Sequence, residues 1–254
     1  PAGVDMFNPD NSKKLDEKER EMFHRMTAKA LFLCKRARPD IQPIVSVLCT
    51  RVKSPGTKDW NKLVRMMKYL YGTVEDILII SSDNGIFGVE WYVDAAFAVH
   101  PDFKSHTGAT MNFKRGKGAV ISVSAKQKLN TTSSTTAELV AVDQVMPLVL
   151  WVPLFMGAQG YSVNNNNTVH QDNKSTILLE KNGKYSSGKR TRALNIRYFY
   201  ITDQEKRGNV QIKYCPTDEM VGDYMSKGLQ GIKFSKFRDI IMGRKYGRDV
   251  LIRQ

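Results

Sequence analysis

The sequence is short of the features that mark several common classes. Its three cysteines (Cys34, Cys49, Cys215) are odd in number and widely spaced, which excludes a disulfide framework and points to reduced thiols in an intracellular protein. Its four histidines (His24, His100, His106, His170) are scattered, so no zinc-ligand spacing exists. No uninterrupted apolar run approaches the length of a membrane-spanning helix, and no signal-peptide pattern opens the chain. There is no internal repeat and no long low-complexity segment. Acidic residues are scarce beside basic ones: 25 against 39, a formal net charge of +14. With no membrane expected as partner, a basic excess of that size points to nucleic acid.

What is present is ordinary globular material, 254 residues with 41% hydrophobic and 25% charged content, enough for one or two domains. Residues 1–14 lack periodicity and read as a flexible arm. Helical spacing then begins at Leu15 (Met22, Phe23, Met26, Ala30, Leu31, Phe32) and stops near Arg38-Pro39. Asp40 can cap a second helix carrying Ile44, Val47, Leu48 and Val52. Thr57 can cap a third, with Trp60, Leu63, Val64, Met67 and Leu70, which Gly72 closes. Residues 15–75 therefore read as a small helical unit, and its later part is rich in Lys and Arg.

From residue 76 the pattern turns to strands. Ile77–Ile80 and Val89–Val93, around Asp83-Asn84-Gly85, read as one hairpin; Gly108–Phe113 and Ala119–Val123 read as a second. A nearly all-apolar helix is expected over about Thr135–Gly157, where Pro147 and Pro153 should kink or split it. Thr168–Gln171 is a short strand before a helix, and Val210–Cys215 alternates as a strand. A late helix carries Asp223, and Phe234, Phe237, Ile240 and Ile241 mark the last one before a basic tail at 244–254. Residues 181–213 hold nine basic residues interleaved with Tyr185, Tyr198, Phe199 and Tyr200, a pattern suited to a phosphate backbone.

Four carboxylates stand at element ends: Asp94 after an apolar strand, Glu138 in a helix first turn, Asp172 after a strand, and Asp223 in the late helix. Each has a bland reading as well. Asp94 can open a turn, Glu138 can serve the helix dipole, Asp172 can cap a helix, and Asp223 can be exposed. Brought together, the four would repel unless divalent cations sat among them. Two Mg²⁺ ions suit carboxylate oxygens and phosphodiester hydrolysis.

The stretches YVDAAFAVHPDFKSHTGATM, SAKQKLNTTSSTTAELVAVD, HQDNKST and KYCPTDEMVGDYMSKGLQG resemble the ribonuclease H domain at the end of copia-type retrotransposon polyproteins, most of all its algal, diatom-like branch. Upstream, FHRMTAKALFLCKRARPDI and DWNKLVRMMKYLYGT resemble the thumb-like end of the reverse transcriptase. The likeness runs roughly from Phe23 to Gly243. It implies an α/β fold: a ribonuclease H-like mixed sheet of three antiparallel strands with parallel additions and flanking helices, over 76–243, after the helical thumb-like segment. It implies that Asp94, Glu138, Asp172 and Asp223 are catalytic metal ligands for two Mg²⁺, with Mn²⁺ as a substitute. The RNA strand of an RNA–DNA hybrid is the implied substrate. Asn173, Ser133 and Ser134 fall on positions implied to touch the hybrid, with Gln127 and Lys128 as further candidates. Lys189, Arg190, Arg192 and Arg197 are expected to supply basic contacts to the nucleic acid. The polymerase part of the same polyprotein is an implied partner, and the implied location is cytoplasmic, in a virus-like particle, or nuclear.

The sequence departs from the family pattern in places. Ala193 stands where a His is usual, a natural aid to proton transfer or product release. Thr136 replaces a Glu, and Gly222 and Gly228 replace Ala and Pro. The paired aspartates of a polymerase palm are missing, so DNA synthesis is not expected of this chain. Two alternatives follow. One is a catalytically weak or inactive descendant that binds nucleic acid or acts as a scaffold. The other is a transposase or integrase core, which the order Asp, Glu, Asp, Asp disfavours.

Overall fold

Strand β1 (Val89–Ala96) lies at the centre of a five-stranded sheet and is buried almost throughout. The computed structural model describes residues 3, 5–9, 11–82, 88–113, 117–161, 163, 167–183 and 195–244, and only the backbone of 195–199. β2 (His106–Phe113) pairs antiparallel with β1, and β3 (Ile121–Lys126) antiparallel with β2. β4 (Asn167–Gln171) and β5 (Gln211–Tyr214) add in parallel on the other side, giving the order β3-β2-β1-β4-β5. This is the mixed α/β sheet that the sequence implies. Val89, Trp91 and Val93 point to one face, the side-chain period of a strand, and join the main core with residues of α4 (Ser134–Ala158), α5 (Lys174–Asn182) and α6 (Asn195–Lys206). Tyr92 points the other way, toward α7 (Asp223–Ser226) and α8 (Gly231–Ile241).

Helix α4 remains one element of 25 residues with Pro147 and Pro153 inside it, which corrects the expectation of a split. A proline at 153 leaves the Val149 carbonyl without its helical donor. The Asn167 side-chain amide donates to that oxygen at 2.8 Å, so the lost bond is replaced from the neighbouring strand. Pro147 lies on the exposed side. The apolar content of α4 is also higher than the uninterrupted runs suggest: by length and composition it could cross a membrane. Its buried residues, however, pack against the sheet and include Glu138, the position of a core helix.

Three helices precede the sheet: α1 (Glu17–Arg36), α2 (Gln42–Cys49) and α3 (Thr57–Tyr71). They enclose their own core of Phe23, Ala30, Cys34, Ile41, Val45, Leu48, Leu63 and Met66. Asp40 does not cap α2. It is buried against Arg38 at 2.8 Å and accepts from the Tyr69 hydroxyl at 2.7 Å. The helices are joined to the sheet by directional bonds. Lys35 Nζ and Gln42 Nε2 each donate to the Ser122 carbonyl at 3.0 Å, and the Tyr224 hydroxyl donates to the Asp40 carbonyl at 2.9 Å.

Two connecting segments differ from their sequence reading. Met6 and Phe7, in the stretch read as a flexible arm, are buried with Val47. Phe7 packs on the rings of His100 and His106, at centroid distances of 5.1 and 5.0 Å. Among the described residues, Ile77–Ile80 makes no hairpin with β1. The Ile79 amide instead donates to the Met242 carbonyl at 3.0 Å, and Ser81 bridges to Lys117.

One core position works against stability. Glu180 on α5 is fully buried, and neither carboxylate oxygen has a hydrogen-bond partner among the described residues. Burial first, then the charge of Glu205, raises its pKa well above the ordinary value. A carboxyl raised in the folded state binds its proton more tightly there than in the unfolded chain. Its ionisation therefore costs nothing below the unfolded pKa of about 4.5, and destabilises increasingly as pH rises from there toward the raised folded value. Glu180→Leu is expected to stabilise the protein by about 1–3 kcal/mol at pH 8. That gain should shrink toward pH 4.5, as read by denaturant unfolding at both pH values.

Candidate metal centre

Asp94, Glu138 and Asp172 are placed by local structure, and Asp223 by a distant contact. Asp94 continues β1 beyond Val93 on the face opposite the main core, and it is 1% exposed. Glu138 lies in the second turn of α4, whose start is fixed by a capping box between Ser133 and Thr136. Asp172 follows β4 directly. It is not the cap of α5, because Asn173 Oδ1 takes that role, accepting from the amides of Ser175 and Thr176 at 3.0 and 3.2 Å. The Asp172 carboxylate is thereby left for the site, where Thr217 Oγ1 donates to it at 3.1 Å. Asp223 begins the four-residue α7 and is 1% exposed.

The burial of Asp223 depends on two glycines. An added Cβ at Gly108 would lie 2.5 Å from the Ser226 amide nitrogen and 2.6 Å from the Gly222 carbonyl oxygen. One at Gly222 would lie 2.8 Å from the Tyr92 carbonyl oxygen. Helix α7 thus rests on bare backbone of β1 and β2. Glycine at 222 allows this approach. Gly108→Ala is expected to cost about 1–3 kcal/mol by overpacking and to move Asp223 away from Asp94. A lower melting temperature together with weaker Mg²⁺ binding by calorimetry would show both effects.

One carboxylate oxygen from each of Asp94, Asp172 and Asp223 lies within 4.8 Å of the others. Glu138 stands beside this trio; Gln171 Nε2 donates to its Oε2 at 3.4 Å, while Gln171 Oε1 accepts from the Asp172 amide at 2.9 Å. Burial is the main cause that raises the Asp94 carboxyl to about 6, with Lys227 opposing and Asp223 and Asp172 adding. Burial, then Asp94 and Asp172, raises Glu138 well above its usual range. Cations already meet this charge. Lys227 Nζ lies 2.5 Å from Asp223 and 3.2 Å from Asp94, and Lys233 Nζ lies 2.6 Å from the other Asp223 oxygen. Ser226 Oγ donates to Asp94. A cluster of largely buried hard oxygens that draws two ammonium groups suits a hard divalent cation.

A second buried chain of bonds supports α7 from behind. Ser124 Oγ donates to the Met225 carbonyl at 2.7 Å, His106 Nε2 lies 2.8 Å from Ser124 Oγ, and His100 Nε2 lies 3.0 Å from His106 Nδ1. Burial lowers these imidazoles to about 4 (His100) and about 3 (His106), so both are neutral braces. Sequence reasoning missed them, and it missed Lys227, Lys233, Ser226 and Gln171. Only Lys227 carried a readable signal: it follows Asp223 at i+4, the spacing of a helical ion pair.

The candidate nucleic-acid contacts divide. Gln127 is corrected: it is 1% exposed, and its amide donates to Thr107 Oγ1 at 3.1 Å and the Ala137 carbonyl at 2.9 Å. Its side chain ties β2 to α4 and offers nothing to a duplex. Ser133 and Asn173 are half-buried helix caps, Asn173 next to Asp172, and Ser134 and Lys128 are exposed. Thr136 completes the Ser133 capping box with its hydroxyl, the task a Glu commonly performs at the third position of a capping box. Lys189, Arg190, Arg192 and Ala193 lie outside the described residues, as does the Arg197 side chain.

No family model matches the chain. It is 28% identical over 205 residues to the retrovirus-related Pol polyprotein from transposon TNT 1-94 of Nicotiana tabacum. That alignment covers 80% of this chain and 15% of the relative. The Pol polyprotein from transposon RE2 of Arabidopsis thaliana is 25% identical over 200 residues, covering 79% of this chain and 14% of that one. The Ty1-LR2 Gag-Pol polyprotein of Saccharomyces cerevisiae is 22% identical over 246 residues, covering 90% and 13%. These homologues are Pol polyproteins of copia-type transposons, and the chain spans about 15% of the length of the first of them. Among solved structures, LC11-RNase H1 isolated from compost aligns with 55% of this chain and 92% of its own, at 15% identity and a TM-score of 0.40.

Proposed function

We propose that this relative of copia-type Pol polyproteins is their ribonuclease H part, a metal-dependent endonuclease acting on the RNA strand of an RNA–DNA hybrid. The observation that carries the reading is the convergence of three separately positioned carboxylates within 4.8 Å, with buried Glu138 beside them. Asp94, Asp172, Asp223 and Glu138 would hold two Mg²⁺ ions. Bound there, the cations supply Lewis acidity toward a phosphodiester and a water of lowered pKa.

The chain's own groups set the remaining terms. Glu138 is buried, and the Gln171 side-chain amide, donating to its Oε2, fixes the orientation of the carboxylate. Asp172 is the most solvent-accessible of the four, half-buried where the others are buried, and so faces the substrate side. The net charge of +14 favours a polyanion at long range and makes affinity fall with salt. RNA is distinguished by its 2′-hydroxyls in a wide minor groove.

The test uses one hybrid labelled in turn on each strand, with a DNA duplex of the same sequence as control. Cleavage confined to the RNA strand is expected. Equal cutting of both strands, or of the DNA duplex, would replace the reading with that of a general nuclease.

A further inference from the structure

Beside the metal centre lies a cavity of about 340 Å³, enclosed by α2, α3, the segment around Met6, and the α7–α8 region. Its volume falls at the lower end of the range for small-ligand sites, about 300–1,000 Å³. We infer that this cavity binds one nucleoside monophosphate unit, with the base against its aromatic wall and the phosphate at Lys58 and Arg65.

The aromatic wall is formed by Tyr69, Tyr224 and Phe234. Tyr224 and Phe234 stack at 5.4 Å, and Tyr69 meets Phe234 edge-on at 6.4 Å. Both tyrosine hydroxyls are already engaged at Asp40, one with its carboxylate and one with its carbonyl. Tyr224 is 2% exposed beneath Phe234, so the half-buried rings of Tyr69 and Phe234 are what the cavity presents, and a flat base suits an aromatic surface.

The rim is cationic. Lys58, Lys62 and Arg65 recur at i, i+4 and i+7 on α3, one helical face, and all three line the cavity. Lys62 Nζ donates to the Met6 carbonyl at 3.2 Å. Lys58 and Arg65 are exposed and form no ion pair with another described residue. The acidic lining groups are Asp5 and Asp40, and Arg38 already neutralises Asp40. An anion with a flat apolar body matches this division of charge. At its inner end the cavity reaches Lys227, the residue paired with Asp94 and Asp223. An occupant would therefore sit beside the candidate metal centre. The unit could be a free mononucleotide or the unpaired end of a strand; the chemistry is the same.

Binding is measured on the full chain by calorimetry in EDTA, so that no metal carries phosphate and no cleavage is needed. Failure of the nuclease reading and failure of this inference are thus separable. The probes are adenosine 5′-monophosphate, adenosine, inorganic phosphate and 5′-phosphorylated tetraadenylate. The monophosphate is expected to bind saturably, one per chain, with adenosine and phosphate at least about tenfold weaker. Tighter binding of tetraadenylate would identify a strand end as the ligand, and tighter binding of the monophosphate a free nucleotide. The double variant Lys58→Gln, Arg65→Gln, at exposed positions, should keep its melting temperature and lose at least about tenfold in affinity. Lack of saturable binding by either phosphorylated probe, equal affinity for adenosine and the monophosphate, or undiminished binding by the double variant would overturn the inference.

Discussion

Asp94→Asn is expected to lower hydrolysis of an RNA–DNA hybrid by a factor of about 10³ or more. The scale is that of several kcal/mol of charge stabilisation by a catalytic metal, at about 1.4 kcal/mol per tenfold in rate. Asp94 is 1% exposed at the end of the central strand, and it shares Lys227 with Asp223. An amide keeps the shape but cannot neutralise a cation. The fold should tolerate the change, because it removes a buried charge whose pKa burial has already raised to about 6, and Lys227 keeps Asp223. Any ligand that binds only the folded state raises the melting temperature by mass action. Mg²⁺ should therefore stabilise the wild-type protein and stabilise Asp94→Asn far less. Comparing the two melting curves with and without Mg²⁺ separates loss of the metal from loss of the fold. Equal stabilisation of both proteins would remove Asp94 from the ligand set.

Lys227→Ala should have opposite effects on stability and on metal binding. In the metal-free protein, its ammonium holds together two carboxylates that are each 1% exposed. Breaking a buried ion pair costs about 3–5 kcal/mol. The Lys227 side chain is itself 39% exposed, so solvent screens part of the interaction and a loss of about 1–3 kcal/mol is expected. Lys233 remains on Asp223 and limits the damage. The same ammonium occupies carboxylate oxygens that a cation would need. Its removal should therefore tighten Mg²⁺ binding, by about tenfold if roughly 1.4 kcal/mol of competition is relieved. Calorimetric Mg²⁺ titration without substrate, alongside denaturant unfolding in EDTA, reads both quantities. Unchanged metal-free stability would show that Lys227 does not hold the cluster together.

Much of the candidate site is legible in local sequence. The run Val-Glu-Trp-Tyr-Val-Asp reads as a buried strand ending in an acid, and Ser133–Thr136 reads as a helix start that places Glu138. The ambiguity at Asp172 is intrinsic, because Asp172 and Asn173 are adjacent and either can cap α5. Only the hydrogen bonds from Ser175 and Thr176 settle it. The burial of Asp223 has no local signature. It arises from Gly108, 115 residues earlier in the chain, whose missing side chain admits α7.

The misread segments share that origin. Met6 and Phe7 are two apolar residues in a polar stretch, and their partners are Val47, Val99 and two histidines distant in sequence. Gln127 ends a strand and looks solvent-facing until the carbonyl of Ala137 is brought over it. Pro153 is tolerated within α4 because Asn167 supplies the missing donor. In each case a tertiary contact decides between two conformations that propensity leaves open.

The measurement that bears most directly on the function is the initial rate of RNA-strand cleavage in a labelled hybrid. It would be followed across a Mg²⁺ titration for the wild-type protein and for Asp172→Asn, with EDTA as the zero point. The wild-type rate should rise with Mg²⁺ from nothing in EDTA, and Asp172→Asn should stay near zero throughout. Cleavage that persists in EDTA, or an Asp172→Asn rate equal to wild type, would contradict the assignment of this acidic cluster as the metal-dependent active site.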